Sequence, residues 1–545
     1  MKANKFFLGL ALVGAILTGC NNNPDDTVTG PTGDAYVSVQ ISMASTAGTR
    51  AVTDGGFAVG DEAEQLINST NSIFLFYDAQ GKWVTSGQLI TEKNFTEESE
   101  VAGDGHTSHA DNVNINALKG SAYIVLSGPD EDLRKSTQVL TVVNYHDVES
   151  LKQLDLLQVL AKTTTTATDE DPANAGFLMT TSAYVSDGVI VNTTAIDSTN
   201  ICMAQAEAKN NPVKIYIERA SAKAEFTTSE TDDTFELETG DATDKDIVID
   251  GEITKVQVKI TGWTLNNVNE ETYLVKQLDS SWIQEAPYTG WNWADNFRSF
   301  WAKGTDWDNE SNVQLENVYQ NTVYTYNQAN KDVKGIMYCY ENTVENPNAN
   351  TTAGTADPNV NTVLIAAEFN IVGDTAKNFY RYGGVYYTEE NYKNLILKQI
   401  QDAGYDKDVD GNDYGIDDLT ISSNGTLAGI QFTIKNAYTE QLKNGKDVVT
   451  YVNSLSYVTE VEGYAGGKCY YQIPVEHTNL TDGVLYGMVR NHWYKINVSS
   501  IKRIGEAVYN PNVVIPDIPE KTDDYYLAAE IHVLSWHIVN QDVEL

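Results

Sequence analysis

Apolar and polar residues alternate strictly between Tyr36 and Met43. A period of two places the apolar side chains on one face, which predicts a half-buried β-strand. The small, polar run that follows ends in Arg50, the only arginine among the first fifty residues. Exposed segments of small residues are preferred sites of proteolysis, so we expect an Arg-specific protease to cut between Arg50 and Ala51.

Such a cut would separate the predicted strand from the rest of the chain. If the strand belongs to a core, its loss opens an apolar groove that is lined by unpaired backbone N–H and C=O groups. Unpaired strand edges readily accept another strand. The sequence therefore predicts a groove that stays unfavourable until a new strand enters it.

A second apolar pattern occupies the C-terminus, residues 527–545, and changes phase twice. Phase changes of this kind indicate a long strand that is interrupted by bulges. A strand on a free terminus either completes its own sheet or is donated to another subunit, and Arg50 at the other end of the chain favours donation. The apolar residues of the predicted donor strand are Leu527, Ala529, Ile531, Val533, Leu534, Trp536, Ile538, Val543 and Leu545.

The rest of the chain is dominated by short β patterns. Strands are predicted at 73–77, 122–126, 139–143, 213–226, 253–263 and 363–369. One helix is predicted over Asp147–Lys162, where leucine and valine recur mostly every third residue, and a second over Glu389–Ala403. Short alternating strands with few helices are typical of antiparallel β-sandwiches.

The first twenty residues have the pattern of a lipoprotein signal peptide. Lys2 and Lys5 precede an apolar run, Phe6–Leu17, and a small-residue cleavage site that ends at Cys20. The run is too short to span a bilayer. We therefore expect export, lipid attachment at Cys20, a precursor anchored in the cell outer membrane, and a propeptide at 21–50.

Three stretches carry a family resemblance: Val213–Lys223, Gly487–Ile501 and Val533–Ile538. Together they resemble the fimbrillins, the type V pilins of Bacteroidales, and most closely the shaft subunit of the minor, or short, fimbriae. The resemblance covers nearly the whole chain, except the acidic segment 389–420.

The resemblance implies a fold and a set of partners. It implies two tandem transthyretin-like β-sandwich domains, and the acidic run 227–246 interrupts the apolar pattern between them. We place the boundary after Phe226, so the domains are 51–226 and 227–545. The implied partners are copies of the chain itself, fimbrial anchor and tip subunits, and surface ligands on a host or on other bacteria.

The chain is strongly acidic, with 76 aspartates and glutamates, 36 lysines and arginines, and a formal net charge of -40. Residues 1–50 hold three acidic and three basic residues, so the mature chain keeps the same charge. Such a surface repels nucleic acid and anionic lipid and keeps a subunit soluble before assembly. We therefore expect no nucleic-acid partner.

One acidic loop has the spacing of a calcium site. It matches the first, third, fifth, sixth and twelfth positions of an EF-hand loop, with aspartate in place of the usual final glutamate. Alternate carboxylates and a glycine at the sharp turn suit Ca²⁺, whereas a very acidic chain also produces such sequences as plain surface turns. The predicted ligands are Asp406, Asp408, Asp410 and Asp417, and no other cofactor is expected.

Other residue groups favour structural roles. Besides Cys20, three cysteines remain, an odd number at wide spacing that favours buried free thiols over a bridge: Cys202, Cys339 and Cys469. The tryptophan-rich run 282–307 either packs in a core, which we favour, or stacks sugars. The loop His106–His109 is too short to form a rigid metal site alone. The sequence holds no hydrolase, metalloprotease or P-loop motif, so catalysis is the poorer explanation.

The sequence therefore predicts a structural subunit of a cell-surface fimbria that supports adhesion, and not an enzyme. A cleavage site and a donor tail together favour a shaft subunit that polymerises by strand donation. The alternative is a fimbrial tip or accessory adhesin, or a surface glycan-binding lipoprotein, that binds through the tryptophan-rich run.

Overall fold

The computed structural model describes residues 35–43, 67–99, 116–165, 176–186, 189–203, 208, 211–237, 247–278, 302–305, 314–319, 335–343, 361–405, 407–480, 483–515 and 537–544. These residues are mainly β-strand with a few short helices, which confirms the predicted fold class. The described helices are α1 (Asp130–Leu133), α2 (Leu156–Leu160), α3 (Leu315–Tyr319), α4 (Glu389–Asp402), α5 (Val448–Val452) and α6 (Ser456–Thr459).

The described strands are numbered in chain order. They are β1 (Ala35–Met43), β2 (Ile73–Tyr77), β3 (Trp83–Ser99), β4 (Asn116–Leu126), β5 (Gln138–Val143), β6 (Thr163–Thr164), β7 (Met179–Thr181), β8 (Tyr184–Ser186), β9 (Val189–Val191), β10 (Thr194–Ala195), β11 (Val213–Arg219), β12 (Ser221–Thr228), β13 (Thr234–Glu236), β14 (Val248–Ile249), β15 (Glu252–Ile253), β16 (Val256–Asn266), β17 (Thr272–Tyr273), β18 (Gly335–Tyr340), β19 (Asn342–Thr343), β20 (Thr362–Ile371), β21 (Phe379–Tyr382), β22 (Val385–Thr388), β23 (Leu419–Ser423), β24 (Ile430–Ile434), β25 (Glu462–Tyr464), β26 (Lys468–Pro474), β27 (Glu476–Leu480), β28 (Gly483–Met488), β29 (His492–Ser500), β30 (Glu506–Ala507) and β31 (His537–Glu544).

The first sheet runs in the order β10-β5-β2-β3-β4-β1-β11-β7, and β5 also pairs with β7. The pairings therefore return to β5 and surround one apolar cluster. This cluster contains Ala35 and Val37 of β1 together with Phe74, Phe76, Ile124, Val139, Ile215 and Ile217. The other face of β2 packs against Leu151 and Val159, so β2 is buried on both sides.

The helix predicted over Asp147–Lys162 is wrong as a single element, because two short helical segments replace it. A 3₁₀ turn covers Val148–Leu151, and α2 begins at Leu156. Between them Gln153 has φ 63°, the left-handed conformation at which helices end. The backbone N–H of Asp155 then donates to Gln158 Oε1 at 2.9 Å, one half of a capping box that starts the new helix.

The second domain is a sandwich of two sheets, β18-β12-β29-β31 and β13-β16-β20-β26-β30. Apolar side chains of both sheets share one core, which includes Phe226, Ile260, Trp263, Ile365 and Ile496. Phe226 and Trp263 stack across it with ring centroids 5.1 Å apart. The alternation in the sequence of β16 and β29 points every second side chain into this core.

The chain crosses between the two sheets at Ala220. Strand β11 pairs with β1 and β7 in the first domain, and β12 pairs with β18 and β29 in the second. Only Ala220 separates the two strands, and it is fully buried. The chain therefore passes from the first sheet to the next at Ala220, before the Phe226 position at which the sequence placed the boundary.

A smaller unit is inserted between β20 and β26, which are antiparallel neighbours in the sandwich. The helix predicted over Glu389–Ala403 is present in it as α4, and the unit has its own core of Tyr380, Tyr392, Ile396, Phe432 and Val452. It contains the acidic segment 389–420, which the fimbrillin resemblance does not cover. Asp250 ties the unit to the sandwich, because its carboxylate accepts the backbone N–H and hydroxyl of Thr388 at 3.0 and 2.7 Å.

The joint between the two domains is built from buried polar groups. Lys276 Nζ lies 3.0 Å from Glu218 Oε2, and Arg490 Nη2 lies 2.6 Å from Glu341 Oε1. Side chains of all four residues are essentially unexposed. Buried charges of this kind depend on their partners, so each pair links the elements that carry its two residues.

Candidate functional site

The strand predicted at the N-terminus is confirmed as β1, and it lies inside the first sheet. It pairs with β4 in the antiparallel direction from Ala35 to Ser42, and with β11 in the parallel direction from Val39 to Met43. Ala35 is 0% exposed and Val37 is 1% exposed. Strand β1 is therefore hydrogen-bonded along both edges and contributes to the core.

Removing β1 would leave a long groove between β4 and β11. Its floor would include Ile124 and Leu126 of β4 and Ile215 and Ile217 of β11, which are all fully buried in the intact chain. Both neighbouring strands would also lose backbone partners, which costs free energy unless another strand replaces them. The groove would thus accept an extended segment with apolar residues at alternate positions.

The last described strand, β31, lies at the edge of the second domain. It pairs in the parallel direction with β29, from His492 opposite His537 to Ser500 opposite Glu544, with one register shift after Val498. Among the described strands β29 is its only partner. The sequence left open whether the tail completes its own sheet or is donated, and in the single chain residues 537–544 pair with the edge of β29.

Most of the predicted processing and donor residues lie outside the described residues. Ile538 and Val543 belong to β31. The residues outside are Cys20, Arg50, Ala51, Leu527, Ala529, Ile531, Val533, Leu534, Trp536 and Leu545. Their roles in lipidation, cleavage and donation stay predictions.

The predicted calcium loop forms a surface turn that is closed by its own hydrogen bonds. Asp408 Oδ1 accepts the backbone N–H groups of Asp410 and Asn412 at 2.9 and 2.8 Å. These bonds, with the bond from Asn412 first, hold the pKa of Asp408 below its usual value. Lys407 Nζ pairs with Asp413 Oδ1 at 2.7 Å. The carboxylate at the centre of the motif is therefore engaged by backbone donors.

The other predicted ligands do not complete a site. Asp410 Oδ2 accepts Asn436 Nδ2 at 3.3 Å, Asp417 is exposed, and Asp406 lies outside the described residues. Within the described part of the chain no group of three or more His, Cys, Asp or Glu side chains is placed to hold a metal ion. Calcium binding stays a prediction without structural support.

The three described cysteines form no disulfide, as expected, and two of them are deeply buried. Cys339 and Cys469 are buried, and Cys202 is half-buried. Burial raises the pKa of the Cys469 thiol to about 12 and also raises the pKa of Cys339.

Two other candidate regions lie wholly or mostly outside the described residues: His106–His109 and the tryptophan-rich run 282–307.

Sequence reasoning missed the parallel partners of the two terminal strands. Both β11 and β29 offer an edge along which a strand docks in the parallel direction. Their apolar alternation identified them as strands but held no information on which segment would pair with them.

In the described ranges, no helix has the length and apolar character required to cross a bilayer.

The C-terminal part of the chain matches a known family. Residues 462–542 match the family described as "Major fimbrial subunit protein type IV, Fimbrillin, C-terminal". We call this matched stretch the fimbrillin segment. This fimbrillin segment runs from β25 through β29 into β31, so it contains most of the parallel pair formed by β29 and the tail strand β31. The family resemblance read from the sequence is confirmed for this segment.

Solved structures of fimbrial proteins give weak likenesses. A fimbrial assembly protein from Parabacteroides distasonis is 13% identical, with 61% of this chain and 82% of that chain covered and a TM-score of 0.26. The tip fimbrial protein Mfa3 from Porphyromonas gingivalis, with a C-terminal truncation, is 9% identical, with 62% and 81% covered and a TM-score of 0.26. No curated protein matches the sequence. Likenesses this distant decide nothing about the fimbrillin segment or its surroundings.

Proposed function

We propose that this chain is the shaft subunit of a cell-surface fimbria, a structural protein and not an enzyme. The observation that carries the proposal is the interior position of β1, which is paired with β4 and β11 and is buried at Ala35 and Val37. The first domain therefore depends on a strand that the sequence places on the far side of a cleavage site. The match of residues 462–542 to the fimbrillin family model supports a fimbrial role.

In the proposed pathway the chain is exported as a lipoprotein precursor with lipid on Cys20. An Arg-specific protease cuts between Arg50 and Ala51, and β1 leaves the first domain. The groove between β4 and β11 then takes the C-terminal strand of the next subunit. Repetition of this step builds the shaft, to which anchor and tip subunits attach.

The tail has the pattern that the groove requires. Leu527, Ala529, Ile531 and Val533 occupy alternate positions, which is the spacing of the apolar residues in β1. Each apolar side chain that enters the core contributes about 1.5 to 3 kcal/mol. Among the described strands of its own chain, β31 pairs only with β29, whereas a strand in the groove would pair with both β4 and β11. Donation therefore increases the number of backbone hydrogen bonds, which favours exchange between subunits.

Electron microscopy of the purified, protease-treated chain tests the proposal. Wild type should form filaments, and Arg50→Ala should remain a full-length monomer because β1 stays in the sheet. Arg134→Ala is the matched control, since Arg134 is a partly exposed arginine that pairs with Asp130. It should be cut after Arg50 and polymerise like wild type. Surface material whose N-terminus is Cys20 would refute the cut.

A truncation after Tyr526 tests the donor strand. The truncated chain should fold, because the strand it loses is an edge strand with one described partner, and it should form no filaments after cleavage. Filaments from the truncated chain would overturn strand donation. Failure to fold would show that the tail is an essential strand of its own domain. A protein that ends the filaments of another subunit but forms none itself would be a tip subunit.

A further inference from the structure

The end of β1 lies next to the crossing between the domains. Met43, the last residue of β1, pairs with Ile217 of β11. Two residues later β11 ends at Arg219, whose side chain is buried with 3% of its surface exposed. Arg219 therefore lies only two residues beyond the last pairing of β1, on the same strand.

The start of β31 lies on the other side of the same crossing. His537, the first residue of β31, pairs with His492, the first residue of β29. The residue before it, Asn491, is 9% exposed and has φ 60°, a left-handed conformation that asparagine tolerates better than most residues. Asn491 therefore fixes the direction in which β29 leaves the joint and the place at which β31 begins to pair.

Asn491 connects these two sides by direct contacts. Its Oδ1 accepts the backbone N–H of Arg219 at 3.4 Å and Arg219 Nη1 at 3.1 Å. Its own backbone N–H donates to the carbonyl of Ser221 at 2.8 Å. Asn491 thus hydrogen-bonds the residues immediately before and after Ala220. One residue joins the strand that holds β1 to the strand that holds β31.

We propose that the docking of β1 and the docking of β31 are coupled through the Arg219–Asn491 contact. With β1 in place, β11 is fixed along the parallel ladder from Val39 to Met43 and keeps Arg219 against Asn491. Without β1, β11 retains the shorter pairing with β7, from Ile217 to Arg219. The contact then weakens, and β31, an edge strand that pairs from the neighbouring residue, detaches more often from β29.

The coupling goes beyond the proposed function because it times the release of the tail. The tail stays on its own chain while β1 fills the groove, and it becomes available when the groove opens. Coupling between two sites is reciprocal, so loss of β31 must also loosen β1. This reciprocity allows a test in the intact chain, without any cleavage.

Amide hydrogen exchange in the full-length chain measures both strands. Val37→Ala removes buried methyl groups from β1 and weakens its docking without removing the strand. Exchange in 537–544 should then become faster, approaching about fivefold as the detached fraction of β1 approaches one, the lower end of typical coupling between sites. In the reverse experiment, truncation after Tyr526 should speed exchange in 35–43 by a similar factor.

Asn491→Gly tests the route. Glycine keeps the left-handed backbone of Asn491 but removes the side-chain oxygen that Arg219 uses. In an Asn491→Gly chain, Val37→Ala should still speed exchange in 35–43 but should no longer change exchange in 537–544. A response of 537–544 that survives Asn491→Gly would exclude this contact as the connection.

Two matched controls separate coupling from general loosening. Val458→Ala removes a buried valine from the core of the inserted unit, and Asn444→Gly replaces an exposed asparagine with φ 52°. Neither should change exchange in 537–544. If Val37→Ala speeds exchange in 35–43 alone, or equally in β23 and β24, the coupling is refuted. Filament formation after cleavage is a separate result, so the shaft proposal stands or falls independently.

Discussion

Lys276 Nζ and Glu218 Oε2 lie 3.0 Å apart at the joint between the two domains, and neither side chain is exposed to solvent. Glu218 belongs to the end of β11, the strand that holds β1. Removing two charges from water is costly, and their attraction offsets this cost only while both are present. The pair therefore makes the joint sensitive to the loss of either partner.

Lys276→Met should lower the free energy of unfolding by about 3 to 5 kcal/mol, because it leaves the Glu218 carboxylate buried without its cation. Lys276→Met combined with Glu218→Leu should recover most of that loss, since no charge is then buried. Denaturant titration measures both effects. Lys398→Ala is the control, because its partner Asp402 is exposed and such pairs contribute at most about 1 kcal/mol. If Lys276→Met lowers the free energy of unfolding no more than Lys398→Ala does, the prediction is wrong.

The stability of the chain should fall as the pH drops from about 6.5 toward 3, and His477 should account for part of the slope. Burial, together with the nearby Lys276 charge, lowers the pKa of His477 to about 3. In this window the unfolded chain binds a proton at His477 and the folded chain does not. Each pH unit then costs about 1.4 kcal/mol in the free energy of unfolding.

The His477 contribution can be isolated by substitution. Tyr494 Oη accepts the backbone N–H of Val489 and shares a hydrogen bond with His477 Nδ1, both at 2.8 Å. His477→Gln retains an acceptor for that hydroxyl but does not titrate. The slope between pH 6.5 and 4 should be smaller in this variant than in wild type. An unchanged slope in His477→Gln would contradict the assignment.

Native alkylation should distinguish the three cysteines. Cys339 and Cys469 are buried, and the raised pKa of both thiols keeps them protonated at neutral pH. Iodoacetamide should therefore modify only Cys202 in the folded chain and all three cysteines in denaturant. Mass spectrometry with and without reduction should give the same mass. Rapid native modification of Cys469 would show that the core around β26 opens.

Gly262→Ala should destabilise the second domain by about 1 to 3 kcal/mol through overpacking. A Cβ at Gly262 would lie 2.2 Å from the carbonyl oxygen of Val318 in α3. Gly415→Ala is the control, because its Cβ would meet nothing closer than Asp418 Oδ2 at 3.7 Å. Thermal unfolding compares the two variants. Equal melting temperatures for both would mean that α3 moves aside without cost.

The alternation of apolar residues predicted several strands well because each has one buried side. Strand β16 shows the reason, since it buries Val256, Val258 and Ile260 and leaves Gln257 and Lys259 between them less buried. The same signal at Tyr36–Met43 located β1. Periodicity in these segments directly reports the exposure of successive side chains.

Other features depend on contacts that a local pattern does not contain. The break at Gln153 is a backbone conformation inside a run of well-spaced leucines. The boundary at Ala220 depends on which distant strands β11 and β12 pair with. The calcium motif has the right residues, but local backbone donors engage Asp408. Long-range pairing and backbone geometry decided these cases, and single-sequence patterns are silent on both.

The continuous passage from β11 to β12 has a mechanical consequence. In a shaft assembled as proposed, the donated strand of one subunit would lie along β11, and β11 continues through Ala220 into β12 and its neighbour β29. A pull along the shaft would load these strands parallel to their length. Their hydrogen bonds would then resist together in shear and would not open one at a time. The subunit would carry tension through one nearly unbroken backbone line.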